Sequence, residues 1–315
     1  MSKFFTKLSG MPIAAVAATM GAMTLSNAWN GLGFVAVRDI TIGLGILVGV
    51  MYLCRIIIHP KAFKADYEKT VPCSLHGAGC MMFMIYGVWL TQWFDFGRFI
   101  FLAAFWIHVC HILVFTYRNV LRGIKAETFV PSWFVTYNGI MVCTVVGAHI
   151  LGPELSRIVV FYGLTVYPIL IISLVIRLLR VPLPPPLLHT TGVALAPVSL
   201  SLASFINVFG ADANIGVITA FYIALLITVT IIVANMGKYF AVPFNPGFSG
   251  LTFPMAIGAV ASLNLSVWFA NNGFEQWSEI VRQIGGIQLF LTTIIIGVVL
   301  FNLLRMGIRA LRSAE

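Results

Sequence analysis

Apolar residues gather in ten stretches along this chain, near 11–28, 38–58, 72–92, 97–118, 131–151, 155–178, 189–208, 213–235, 247–270 and 282–305. Each is long enough to cross a bilayer as a helix, because a hydrocarbon core about 30 Å thick takes roughly 20 helical residues. Two kinds of stretch alternate. The odd-numbered ones are rich in Gly, Ala, Ser and Pro, while the even-numbered ones are bulky, aliphatic and end in Lys or Arg. A helix that faces only lipid has no use for small residues and hydroxyls, whereas helices packed on one another do. The alternation therefore predicts a hairpin of one inner and one outer helix, repeated five times at about sixty residues.

The expected fold is all-α: a polytopic membrane protein of ten transmembrane helices, built as five hairpins with quasi-five-fold order around a central pore. Residues 1–315 form a single integral membrane domain on this expectation. A solid bundle held by small-xxx-small contacts is the competing arrangement. Pro12, Pro72 and Pro131 stand at the starts of inner stretches, where a missing N–H costs nothing. Pro197 and Pro254 lie deeper and are expected to kink their helices, freeing carbonyls that a polar cavity or neighbour must satisfy. Val181-Pro182-Leu183-Pro184-Pro185-Pro186 reads as a stiff connector between hairpins.

Composition agrees with the pattern. Of the 315 residues 60% are apolar and 9% charged, with a mean hydropathy of +0.98, too little charge to cover a soluble surface. The net charge of +9 would suggest nucleic acid for a soluble protein, but topology accounts for it here. Lys3, Lys7, Arg55, Lys61, Lys64, Lys69, Arg118, Arg122, Lys125, Arg177, Arg180, Lys238, Arg305, Arg309 and Arg312 fall on one side of the predicted crossings. Only Arg38, Arg98, Arg157 and Arg282 fall on the other, so the first side is expected to be cytoplasmic, with both termini there. Met1 to Trp29 has the look of a signal peptide, yet its removal would leave nine helices and spoil that balance, so it is expected to stay as the first helix. The cysteines Cys54, Cys73, Cys80, Cys110 and Cys143 show no C-x-x-C spacing and imply neither disulfide nor zinc.

Candidate chemistry is sparse. Every Asp, Glu, Lys and Arg lies at or beyond a predicted helix end, so no mid-membrane charge is available for a proton relay or cation site. A conduit of neutral hydroxyls, amides and backbone N–H groups, with a basic mouth, suits a weakly hydrated anion. In the ninth stretch Ser249, Gly250, Phe253, Ala256, Val260 and Asn264 share one helical face. Phe253, a lone ring among small residues beside Pro254, is either a hydrophobic constriction or a side chain packed between helices. His76, His108 and His111 are expected to make polar contacts between neighbouring helices rather than to ligate haem. No G-x-x-x-x-G-K-[ST] is present, and Asn264-Leu265-Ser266 lies inside a helix, so neither ATP nor glycan is expected.

Several segments together resemble a known family. They are Gly10-Met11-Pro12-Ile13 with Ala17 and Ala28-Trp29, Pro131-Ser132-Trp133-Phe134, Leu195-Ala196-Pro197, and Phe244-Asn245-Pro246 leading into Thr252-Phe253-Pro254. These are similar to the tellurite-resistance/dicarboxylate transporter (TDT) family, which includes bacterial TehA-like proteins, yeast malic-acid permeases and plant slow anion channels. The resemblance implies odd helices around a pore, a homotrimer with one pore per subunit, and Phe253 as the gate. It implies passage of chloride, nitrate, dicarboxylates or tellurite-type oxyanions across a bacterial inner membrane, with no cofactor and no enzymatic activity. Pro12, Ser132, Pro197 and Pro254 join the helix-nine face as pore-lining candidates. A proton-coupled carrier of C4-dicarboxylates or oxyanions is the alternative, with His76, His108 or His111 titrating. Tyr167 precedes Pro168 where TehA-like relatives often carry an acid.

Overall fold

The computed structural model describes residues 3–312, and no strand occurs among them. Ten helical segments dominate: α1 (Ile13–Gly31), α2 (Val35–Ile58), α3 (Thr70–Leu90), α4 (Phe96–Thr116), α5 (133–151), α6 (Pro153–Arg180), α7 (Leu195–Phe209), α8 (Ile215–Ala234), α9 (Thr252–Asn271) and α10 (Glu275–Arg312). Eight of them, with the short turns that extend some, are long and apolar enough to cross a membrane. α1 and α5 fall outside that set. α1 has 19 residues, among them Thr19, Thr24, Ser26, Asn27 and Asn30. α5 is not the single helix its apolar run suggests. It is divided into Trp133–Tyr137, a 3-10 turn at Gly139–Met141, then Val142–Val146 and Ala148–Leu151. Gly147 separates the last two with φ −141° and ψ 29°, values a helix does not hold.

Consecutive helices pair as hairpins. Four of the five tight turns, α1–α2, α5–α6, α7–α8 and α9–α10, contain a glycine at positive φ: Gly33, Gly152, Gly210 and Gly273. Only glycine reaches that region without a Cβ clash. The odd segments then pack in a closed cycle, α1 on α3, α3 on α5, α5 on α7, α7 on α9 and α9 on α1. Each even helix lies outside, in the groove between its own hairpin mate and the next odd segment, and α10 closes the circuit against α1. Burial follows the same alternation. The most apolar windows of the spans containing α7 and α9 are 78% buried, against 17% for α8 and 28% for α2 and α6. Small residues let the odd segments approach one another, and bulky ones cover them.

Two sequence expectations are corrected. Pro197 and Pro254 do not kink long helices: α7 and α9 are preceded by 3-10 segments, Pro185–Ala194 and Pro246–Leu251. Each proline is the third residue of the α-helix that follows. First-turn N–H groups have no intrahelical acceptor, so a proline there removes no bond. Pro168 in α6 is the proline that sits deep within an α-helix. The ten apolar stretches also do not account for every helix, since Pro60–Glu68 forms a separate helix between α2 and α3. Its Phe63, Asp66 and Tyr67 turn toward the bundle, while Lys61 and Lys64 are exposed.

Candidate functional site

A cavity lies on the axis of the ring, and all five odd segments, counting the 3-10 turns that lead into α7 and α9, contribute to its wall. α1 supplies Ala17 and Met20, α3 Leu75, Ala78 and Met81, and α5 Phe134, Val135 and Gly139. Val193, Ala196 and Leu200 come from the α7 side, and Ser249, Gly250, Phe253 and Pro254 from the α9 side. The free space is about 30 Å³, room for one or two waters. Phe253 is 6% exposed and belongs to the apolar cluster that also holds Ala17, Met20, Ala196, Leu200, Ile257 and Val260. The Phe253 ring thus stands within an apolar, water-sized space.

The other sequence candidates divide. Ser249, Gly250 and Pro254 line the cavity beside Phe253. Val260 does not line it but stays in the Phe253 cluster two turns along α9. Ala256 packs instead with Ala22, Leu25 and Leu289, between α1 and α10. Three residues on from Phe253 rotates a side chain about 60° off the face, enough to change neighbours. Asn264 is half-buried farther along α9, and Pro12 is exposed at the N-cap of α1. Pro197 is buried next to Ala196. Ser132 is buried at the start of α5, its hydroxyl without a hydrogen-bond partner. The wall residues from α1, α3, α5 and α7 were not among the pore-lining candidates, although Ala17, Phe134 and Ala196 belong to the segments that carry the resemblance. Leu75-Ala78 and Val193-Ala196-Leu200 do follow a helical stripe, but so do the faces that pack on outer helices.

The conduit is less polar than expected. Ser249 is the one hydroxyl residue of the cavity wall. The others are engaged with nearby backbone: Ser199 donates to Leu195 O at 2.8 Å, Ser201 to Pro197 O at 2.8 Å, Thr24 to Met20 O at 3.0 Å. Thr144 and Ser204 bond across the α5–α7 seam at 2.8 Å. In a medium without water, a hydroxyl gains more from a carbonyl one turn back than from an apolar lumen.

Not every charge at a helix end is exposed. Arg38 and Arg55 lie within α2 and are 9% and 4% exposed. Arg38 donates to Met23 O at 2.8 Å and to the Ser26 hydroxyl at 3.2 Å. Arg55 donates to Ser9 O at 3.3 Å and pairs with Asp66 at 2.7 Å. Both reach inward from a helix terminus onto the α1 side, which is why hydropathy reads them as flanking residues.

The three histidines form a polar layer behind the cavity wall. His108 Nε2–H donates to Thr136 O at 2.9 Å. Thr136 Oγ1 donates to Ser74 O at 3.4 Å, so His111 Nε2–H donates to Thr136 Oγ1 at 3.2 Å. That leaves His111 Nδ1 to accept from the Tyr67 hydroxyl at 3.0 Å. Burial pushes the Tyr67 phenol up, which keeps it a donor. His76 Nδ1 lies 2.7 Å from the Tyr52 hydroxyl, and its Nε2 faces Asp66 at 3.6 Å. His189 is fully buried and stacked on Phe248 at 4.1 Å.

No curated protein matches the chain. Residues 10–306, which include all ten helical segments except the last turns of α10, match the SLAC1 family, described as voltage-dependent anion channel. Closed ring, repeated hairpins and family match converge: this multi-pass membrane protein belongs to the SLAC1 (TDT) family.

Proposed function

We propose that α1 to α10 all cross the membrane and that small anions pass along the axis of the odd-numbered ring, with Phe253 closing the path at rest. One observation carries this: a single cavity touches all five odd segments, and Phe253 stands on its wall. The hairpins make the odd segments run parallel, as the α7–α9 pair illustrates. Their leading 3-10 segments touch, and Trp268 Nε1 donates to Gly210 O near their far ends at 2.6 Å. Four N-terminal ends of continuous helices, α1, α3, α7 and α9, thus gather on one side, each worth about half a positive charge, and the short first piece of α5 adds less. That field favours anions, and no carboxylate belongs to the wall to oppose it. Chloride and nitrate, whose hydration is weak, are the best-suited cargo; dicarboxylates and tellurite-type oxyanions fit the same sign of charge.

The chain acts as a channel rather than an enzyme, with the N-terminal mouth cytoplasmic, in a bacterial inner membrane, as a homotrimer with one pore per subunit. His76, His108 and His111 stay outside the cavity wall, which argues against a proton-coupled carrier. A reversal potential that follows the chloride gradient and ignores the proton gradient is the corresponding electrical signature.

Phe253→Ala is the direct test. Chloride and nitrate flux into proteoliposomes is expected to rise, because removing the ring enlarges the cavity at the point where Phe253 closes it. Its stability cost should fall short of the roughly 3–5 kcal/mol of a packed core Phe→Ala, since part of the ring borders empty space. Unchanged flux in a folded variant, together with a full core penalty by thermal unfolding, refutes the gate.

A further inference from the structure

The ring needs something to fix its circumference at the level of Phe253. Two glycines stand where an odd segment presses on the backbone of a cavity-wall residue in the next one. A Cβ on Gly21 of α1 would lie 2.6 Å from the Phe253 nitrogen and 2.8 Å from Thr252 Cβ. A Cβ on Gly77 of α3 would lie 2.8 Å from the Val135 carbonyl oxygen. Ordinary contact begins at 3.4 Å, so these fall short by 0.8 Å and 0.6 Å. The obstacle in each case includes main chain, which cannot rotate aside. Other close glycines at this level, one of them on the same α3–α5 seam, meet side chains that can. Gly139 meets the Met81 sulfur, and Gly250 meets a Val193 methyl.

We infer that Gly21 and Gly77 are positioning residues for the closed pore: they set the α1–α9 and α3–α5 spacings that bring Phe253 and Val135 to the axis. This rests on the reading of Phe253 as the closure. Adding one methyl at either site forces two staves of the ring apart and widens the lumen, with the Phe253 side chain itself intact. Thr252 supplies a second tie across the first seam, its hydroxyl bonding to Ser249 O at 2.7 Å and facing Ala17 O at 3.5 Å.

The molecule contains its own control. Gly87 of α3 is as tightly pressed as Gly21, a Cβ there lying 2.6 Å from the Phe101 nitrogen, but its partner is the outer helix α4. Gly87→Ala strains a hairpin without touching the ring's circumference.

The experiment compares chloride and nitrate efflux per reconstituted protein for Gly21→Ala, Gly77→Ala, Gly87→Ala and Phe253→Ala. Gly21→Ala and Gly77→Ala should leak several-fold faster than wild type, while Gly87→Ala should lower the unfolding temperature at wild-type flux. Folded glycine variants at or below wild-type flux, beside a leaky Phe253→Ala, overturn the inference and leave the gate standing. Leaky glycine variants beside a silent Phe253→Ala refute the gate and overturn with it the inference that rests on it. A leak in Gly87→Ala equal to the other two overturns it as general loosening. Should neither alanine variant fold, Thr252→Ala, which cuts the α1–α9 tie without adding bulk, should leak more than Thr252→Ser; equal flux in that pair overturns the inference.

Discussion

A buried arginine in a membrane protein must find acceptors within reach, and both on α2 find them on or beside α1. Arg55 is the stricter case, because its ion pair with Asp66 ties the Pro60–Glu68 helix to the bundle. Breaking a buried pair from one side costs about 3–5 kcal/mol, since the remaining charge loses its partner. The Asp66 side chain is 20% exposed, so Arg55→Gln and Asp66→Asn should fall at the low end of that range. Thermal unfolding in detergent checks this, and two variants indistinguishable from wild type would show the pair to be energetically idle. Replacing both partners with apolar residues should cost less than either single change.

At the scale of elements, the distinction that matters is where each helix becomes α. The 3-10 leads into α7 and α9 place Pro197 and Pro254 in a first turn, where no hydrogen bond is lost. Pro254→Ala should therefore shift stability by less than about 1 kcal/mol, mostly through a freer unfolded chain. A loss of several kcal/mol on calorimetry would mean that the pyrrolidine ring itself holds the cavity wall together. The divided α5 is a different case. Its pieces from Trp133 to Val146 are almost wholly buried between α3, α6 and α7, so tertiary packing sustains helical turns that are too short to persist alone.

Over the whole molecule, the ring and its outer sleeve predict a simple accessibility map. With native cysteines replaced, single cysteines in the turns at 32–34, 91–95, 210–214 and 272–274 should label from one side of the membrane. Those in Pro60–Glu68, 122–128 and 241–245 should label from the other, the side that the proposed orientation makes cytoplasmic because Lys and Arg are in excess there. Labelling of any turn from the wrong side would break the ten-crossing topology at that hairpin.

Much of this architecture was legible along the chain. Apolar run length and the alternation of small with bulky stretches identify the helices, the hairpin repeat and which member of each pair is inner, because bilayer thickness and close packing act on each segment separately. The Phe253 face was legible too, since helical spacing places Ser249, Gly250 and Phe253 together without reference to neighbours. What lay beyond reach depends on partners distant in sequence. Which side of α3, α5 and α7 meets the axis, why Ala256 faces α10, how Arg38 and Arg55 come to be buried, and where glycine is obligatory are all settled only when five separate hairpins close into one ring. A residue's surroundings there are set by groups far away in sequence, 235 positions in the Ala17–Thr252 tie, and no local pattern records them.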